Sequence, residues 1–329
     1  MIHLRIVTPA AKADPALAAL ERSASVYNVV HLPGAARKPR GDVILADVAR
    51  EDASVVIADL RELGLQHDGS ISIDPIDTQL SDRADRAIEH AKGAPADAVV
   101  WEEVEARTSE QVELSGVYLA FIVLAGLLAM VGIYQDSAIL IVGAMVVGPE
   151  FGPLAGLCVA LVHLRGELAL RSGIALAAGF PLTIAVVALT SVLLKAVGLF
   201  EADFSQEGHG LANIISSPDF FTFFVAACAG AAGMLSLSTA KSGALIGVLI
   251  SVTTIPAAAN VGISAAYGDW DTMGGSAAQL AINLGSIVLA GTAVLYLQRL
   301  LYLRRKQRHQ REEPLRPRTR ARTRSRSSS

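Results

Sequence analysis

Cysteine is nearly absent from this chain: 329 residues hold two, Cys158 and Cys228, both inside apolar segments. That excludes a disulfide framework and leaves small, buried, apolar packing as the expected use of both. Charge is scarce as well, at 18% of residues, and aromatic side chains make up 5%. Such a stock cannot cover a soluble surface of ordinary charge density over most of the chain. Catalytic signatures are missing: there is no Walker loop, no G-x-S-x-G elbow, no HExxH helix and no Cys/His metal spacing. The long apolar region has only His163 at its edge and His209 in a loop. A nucleophilic or zinc enzyme is therefore not expected, and no cofactor, metal or specific nucleic-acid partner is implied. The opening MIHLRIVTPAAKADPALAAL also lacks an uninterrupted apolar core, so no signal peptide is expected and the N-terminal part is assigned to the cytosol.

What is present is apolar. Hydrophobic residues make up 52% of the chain and the mean hydropathy is +0.45, the composition of an integral membrane protein. The net charge of -3 divides unevenly: residues 1–114 carry 12 basic and 20 acidic side chains, residues 115–298 carry 4 and 9, and the remainder carries 12 and 2. Six membrane segments are predicted, roughly 115–134, 137–163, 172–199, 219–237, 242–266 and 276–300. Arg165, Arg171 and Lys241 fall in loops on one side and the sixth segment runs into Arg304, Arg305 and Lys306. The alternate loops hold Asp136, Glu201, Asp203, Glu207, Asp219, Asp269 and Asp271. The positive-inside rule then predicts both termini in the cytoplasm of a cell whose inner membrane the chain crosses.

Before the membrane, the order strand, helix, strand, strand, helix, strand over residues 1–76 is that of a ferredoxin-like α+β domain. The strands are expected at 2–7, 26–32, 42–48 and 70–76. The helices are expected at 14–22, with Pro15 at its first position, and at 51–63. Residues 77–114 read as a charged helical connector interrupted at Gly93 and Pro95. Residues 301–329 read as a disordered basic tail, able to meet anionic lipid or the acidic N-terminal domain.

The stretch Ser137 to Leu161, SAILIVGAMVVGPEFGPLAGLCVAL, is where function is expected. Gly148, Pro149, Glu150, Gly152 and Pro153 interrupt a run otherwise long enough to span a bilayer. Such a break survives only where it is buried in protein or lines a wet cavity. Glu150 falls near mid-membrane, where it is either a proton-coupling or cation-binding carboxylate or a glutamate solvated at a cavity mouth. A second stretch from Ser242, SGALIGVLISVTTIP, follows a similar course and meets Pro256. With three segments per half, the two would be inverted repeats, and paired broken helices in such repeats point to a central site. Thr253, Thr254 and Asn260 flank Pro256, and Gln279 and Asn283 lie one turn apart on the sixth segment. These supply neutral donors and acceptors, useful as interhelical glue or as ligands. The GxxxG spacings Gly148/Gly152/Gly156 and Gly243/Gly247 favour close helix packing within or between copies, so a homo-oligomer is expected. Phe220, Phe221, Phe223 and Phe224 are expected at an interface, and Lys195, His163 and Glu167 at segment ends.

The segment QDSAILIVGAMVVGPEFGPLAGL resembles the signature of the bacterial and archaeal membrane-protein family called domain of unknown function 389. The shared residues are Ser137, Gly143, Ala144, Met145, Pro149, Gly152 and Pro153. CAGAAGM in the fourth segment, TIPAAANVG in the fifth and Asn283 in the sixth agree, so the similarity covers about residues 115–300. The resemblance implies an aliphatic residue after Pro149, where this chain has Glu150. It implies a membrane fold and no assigned activity. The expectation is a transporter or channel-like protein for a small polar solute or ion, passive or ion-coupled. Its pathway would be Gly148, Pro149, Glu150, Gly152, Pro153, Thr253, Thr254, Pro256, Asn260 and Asn283. The alternative is a membrane-anchored sensor or scaffold whose cytosolic domain binds a small ligand.

Overall fold

The computed structural model describes residues 1–76, 78–91, 98–200, 210–239 and 253–312. The chain forms two compact units, Met1–Ala91 together with the chain from Leu300, and Lys92–Arg299.

The first unit is a four-stranded antiparallel sheet with helices. Its elements are β1 (Ile2–Thr8), α1 (Ala10–Arg22), β2 (Val26–Arg37), β3 (Arg40–Val48), α2 (Arg50–Glu62), a one-turn α3 (Leu65–Asp68), β4 (Ser70–Pro75) and α4 (Asp82–His90). The strand order is β2-β3-β1-β4. Alternation on β1 buries Ile2, Leu4 and Ile6 on one face. Leu4 lies opposite Ala46 and Ile73, and Ile6 opposite Ile44 and Ile71, so the apolar face continues across three strands. Ala13, Ala16 and Leu20 of α1 and Val56, Ile57 and Leu60 of α2 complete this core.

Two local expectations are corrected here. α1 begins at Ala10, so Pro15 sits inside the helix rather than at its start; Ala10, Ala11 and Lys12 are good helix formers that add a turn before it. The β2–β3 hairpin extends into residues 33–41, between the strands expected at 26–32 and 42–48. β2 is an edge strand, and a register shift between Leu32 and Ala36 absorbs Pro33 and Gly34, whose φ is +65°. Asp42 pins this hairpin, accepting from Gly34 N–H at 2.9 Å and lying 2.8 Å from His31 Nε2. The Gly34 N–H, and after it His31, hold the Asp42 carboxyl below the usual carboxylate range. Because the folded value is depressed, this contribution is present at neutral pH and lost as pH falls through that folded value.

Gly41 has no freedom to gain a side chain, because a Cβ there would lie 2.1 Å from the Thr8 carbonyl oxygen. Gly41→Ala is expected to destabilise the sheet by on the order of 1–3 kcal/mol. Hydrogen exchange of the intact chain checks this, and unchanged protection of β1 and β3 would contradict it. Within the same unit, Tyr302 donates to the Ser54 carbonyl at 3.4 Å and Lys306 lies 3.3 Å from Glu62.

The second unit is helical: α5 (Trp101–Gln111), α6 (Gly116–Tyr134), α7 (Ala138–Val147), α8 (Phe151–His163), α9 (Gly166–Ala196), α10 (Gly210–Ser216), α11 (Phe220–Ser238), α12 (Thr254–Tyr267) and α13 (Trp270–Glu312). α6, α9, α11 and α13 are long and apolar enough to cross a membrane. α7 and α8, bent by 53° at a short break, make up to one more span. The described residues thus carry four or five candidate spans where six were expected. Residues 240–252, which take in the first part of the fifth expected segment, lie outside them, and the rest of that segment is α12, whose 14 residues are too few to span alone. Lys241, Gly243, Gly247, Glu201, Asp203, Glu207, His209, Gly93, Pro95 and the tail from residue 313 also fall outside the description. α13 continues helically through residues 301–312, the start of the expected tail. These apolar helices mark a membrane-embedded protein.

Side-chain contacts define two ends of the helical unit. At one, Tyr134 and Phe200 stack at 3.8 Å, Asp136 accepts from the Leu211 N–H at 2.8 Å, and Lys195 lies 4.4 Å above the Tyr267 ring. At the other, Glu105 pairs with Arg165 at 2.9 Å, His163 packs against Trp101 with ring centroids 5.0 Å apart and planes tilted by 59°, and Arg299 donates to the Val162 carbonyl. Cys158 is buried as expected, whereas Cys228 is exposed on α11. Phe220, Phe221, Phe223 and Phe224 are likewise exposed along that helix.

Candidate polar site at two helix breaks

α8 and α12 both begin inside the helical unit. Glu150 precedes the first and Thr253 the second, and each has proline at its third position, Pro153 and Pro256. A proline there lacks an N–H that the helix would leave unpaired in any case, so both prolines start helices rather than interrupting them. From these starts α8 runs to His163 at the α5 end, and α12 runs to Tyr267 at the α10 end. Their N-termini meet: the Thr254 hydroxyl donates to Glu150 Oε1 at 2.7 Å. Glu150 is 3% exposed, and its Oε2 has no hydrogen-bond partner among the described residues. The carboxylate does not cap its own helix.

A second contact joins α13 to this point. Asn283 Nδ2 donates to Thr253 Oγ1 at 2.9 Å and to the Thr253 carbonyl at 3.3 Å. One turn earlier Gln279 donates to Thr222 Oγ1 at 3.4 Å. A turn further back, Ser276 accepts from Asn260 Nδ2 at 2.8 Å, while the same amide group donates to the Ala212 carbonyl at 3.2 Å. Asn283, Gln279 and Asn260 each keep a buried amide oxygen without a partner among the described residues.

Two clefts approach this cluster from opposite ends. The first, of about 460 Å³, opens at the α10 end between Asn213, Ser217, Asp219 and Thr222 and reaches Thr253, Gln279 and Asn283. The second, of about 360 Å³, lies by the end of α5. Glu110, Glu113, Tyr118, Gly148, Pro149 and Gly152 are among its walls. Glu150 Oε2 lies against Gly148, where an added Cβ would come within 2.3 Å of it.

The expected pathway residues therefore separate. Glu150, Thr254, Thr253 and Asn283 form one hydrogen-bonded group, with Gly148 beside it. Asn260 is bound one step away, through Ser276. Pro149 lines the α5-end cleft, while Pro153 and Pro256 are buried in first turns. Gly152 lines that cleft too but packs against α5: a Cβ there would lie 2.9 Å from Gln111, and one at Gly156 would lie 2.2 Å from Val112. These glycines serve an intrachain contact. Of the end residues, His163 lies 3.5 Å from Glu105, and Glu167 pairs with Arg171 one turn on. Sequence reasoning missed Asn213, Ser217 and Thr222, and read Asp219 only as a loop charge. The Asp219–Thr222 capping box, D-x-x-T before an apolar run, was a readable signal for the last two.

Comparison with known proteins bears on the same residues. The profile of the family described as Domain of unknown function (DUF389) matches residues 145–289. This chain carries a DUF389 domain. An uncharacterized protein of Methanocaldococcus jannaschii is 27% identical over 173 residues, which make up 50% of this chain and 49% of that relative. The chain thus spans about half the length of the curated relative it matches. No solved structure matches. Glu150, Thr253, Thr254, Gln279 and Asn283 all fall inside the DUF389 domain, as does the lining of the α10-end cleft. Glu110, Glu113 and Tyr118, at the other mouth, precede it.

Proposed function

We propose that this chain is a transporter or channel-like protein of the inner membrane, moving a small polar solute or ion through a site at the meeting of α8 and α12. One observation carries this reading. One cleft reaches Thr253 and Asn283 and the other reaches Gly148 and Pro149, and the buried contacts of Glu150 with Thr254 and of Thr253 with Asn283 link the residues beside them. Non-helical backbone at membrane depth persists where it lines a cavity, and half-helices that begin mid-membrane are how secondary transporters build their sites. The matching starts of α8 and α12 support the inverted-repeat reading, and the strand order β2-β3-β1-β4 supports the ferredoxin-like one. Basic loops at the α5 end support a cytoplasmic side for that end and for both termini. Passage is passive or ion-coupled, and the N-terminal domain regulates access or sets the geometry of a homo-oligomer.

Single cysteines in a Cys158→Ala, Cys228→Ala background test it. Thr253→Cys and Asn283→Cys are expected to react with a membrane-impermeant thiol reagent from outside intact cells. Glu113→Cys and Pro149→Cys are expected to react only in inverted vesicles, and Val187→Cys, fully buried on α9, from neither side. Silence at Thr253 and Asn283 from both sides would mean that the breaks serve packing alone.

A further inference from the structure

We infer that the solute is a monovalent cation, an alkali ion or a small ammonium, held between Glu150, Asn283 and Gln279; this rests on the transport reading above. The first ground is the kind of polar atom left over. Glu150 Oε2, Asn283 Oδ1 and Gln279 Oε1 are buried and without donors among the described residues. For Asn283 the orientation is fixed by chemistry: its amide nitrogen faces the Thr253 carbonyl, and turning the group round would oppose two acceptors. The site is thus rich in acceptors, and what satisfies it must bring donors or positive charge.

The second ground is the charge of the two approaches. Glu110 and Glu113 line the α5-end cleft and Asp219 lines the other, and no Lys, Arg or His is among the described residues that line either. Acidic mouths on a low-dielectric passage concentrate cations and repel anions. Anion capture by the converging N-termini of α8 and α12 is countered by the carboxylate already there; their positive ends offset part of Glu150's charge. A divalent ion is disfavoured on the same count. Among the described residues no three His, Cys, Asp or Glu side chains gather to hold one, and a single partly offset carboxylate balances one positive charge at most.

The third ground is position. Oε1 takes the Thr254 hydroxyl, next to the residue that Asn283 holds in the α10-end cleft, and Oε2 lies against Gly148 in the wall of the α5-end cleft. Glu150 lines neither cleft but is buried between residues that do, so its carboxylate is the charged group a cation meets between the two approaches.

The test is tracer uptake into vesicles holding the full-length chain, with radioactive rubidium, sodium and methylammonium as cations and radioactive chloride and glycerol as anionic and neutral probes. At least one cation is expected to enter well above protein-free vesicles, chloride and glycerol not. Glu150→Gln and Asn283→Ala are expected to cut that uptake by about ten- to a hundredfold, the equivalent of one charge-assisted contact. Glu150→Asp, which keeps the charge and shortens the reach, is expected to shift the preference between sodium and rubidium. Size-exclusion profiles matching the unaltered protein establish that the variants fold. Entry of glycerol or chloride without any cation would overturn the cation assignment and leave transport standing. Cation uptake unchanged in both Glu150→Gln and Asn283→Ala would overturn the site. No flux of any probe would remove the transport reading along with it.

Discussion

Glu150→Leu and Thr254→Val, each removing one side of the same hydrogen bond, are expected to differ in stability, the first holding or gaining it and the second losing it, while both reduce passage of solute. Leucine is close in volume to glutamate and aliphatic, the kind of residue that the family resemblance implies after Pro149. Replacing a buried charge by a well-packed apolar group of similar size is often neutral or stabilising, by up to about 1–4 kcal/mol. The loss on the other side is a single Thr254 hydroxyl without its acceptor. Thr254→Val does the reverse, leaving a carboxylate that is 3% exposed with neither oxygen bonded. Stranding a buried hydrogen-bonding group costs about 1–3 kcal/mol, and more when it is charged. Thermal unfolding in detergent should therefore place Glu150→Leu at or above the unaltered protein and Thr254→Val below it, with uptake reduced in both. Equal destabilisation by the two would mean that Glu150 is a structural anchor and not a group retained for function at a cost in stability.

How much of this was readable beforehand depends on whether a feature is local. The break at Gly148–Pro153 and the lone Glu150 stand out because glycine, proline and a carboxylate contradict the apolar run around them, and hydrocarbon punishes each of those contradictions. Thr253, Asn260 and Asn283 stand out in the same way. Their pairing does not: Glu150 and Thr254 lie 104 positions apart and Asn283 and Thr253 lie 30 apart, and nothing in either stretch names the other. α10 was invisible as a helix because seven residues between long apolar runs read as loop, yet it supplies Asn213 and Ser217 to a cleft and the Ala212 carbonyl to Asn260. In the sheet, Pro33, Gly34 and Pro39 gave true turn signals that strand pairing overrode, the irregularity at Leu32–Ala36 absorbing what would otherwise have ended β2. The glycine spacing at Gly148, Gly152 and Gly156 announced close packing, but only the fold identifies Ile255 as the neighbour of the first and the end of α5 as that of the other two.

Gly230→Ala is expected to be strongly damaging to the helical unit, because the atoms that an added methyl would meet there are backbone. A Cβ at Gly230 would lie 2.6 Å from the carbonyl oxygen and 2.7 Å from the Cα of Ile287, so α11 crosses α13 backbone against backbone. Backbone cannot turn aside as a side chain does, and the two helices must part. Overpacking of this kind costs about 1–3 kcal/mol even where side chains can adjust, and here it strikes α13, which also carries Gln279 and Asn283. Gly143 on α7 is the control, with nothing within 4 Å of its would-be Cβ; Gly143→Ala should match or exceed the stability of the unaltered chain through helix propensity alone. Gly156 separates the two mechanisms, because its Cβ would meet the Val112 Cγ2 and Ser172 Oγ side-chain atoms at 2.2 and 2.8 Å. Val112→Ala should therefore restore much of what Gly156→Ala loses, whereas Ile287→Ala should restore nothing to Gly230→Ala. Thermal unfolding of the five variants decides it. A Gly230→Ala chain as stable as the unaltered one would mean that α11 and α13 do not approach at their backbones, and the position of Asn283 relative to Thr253 would have to be drawn again.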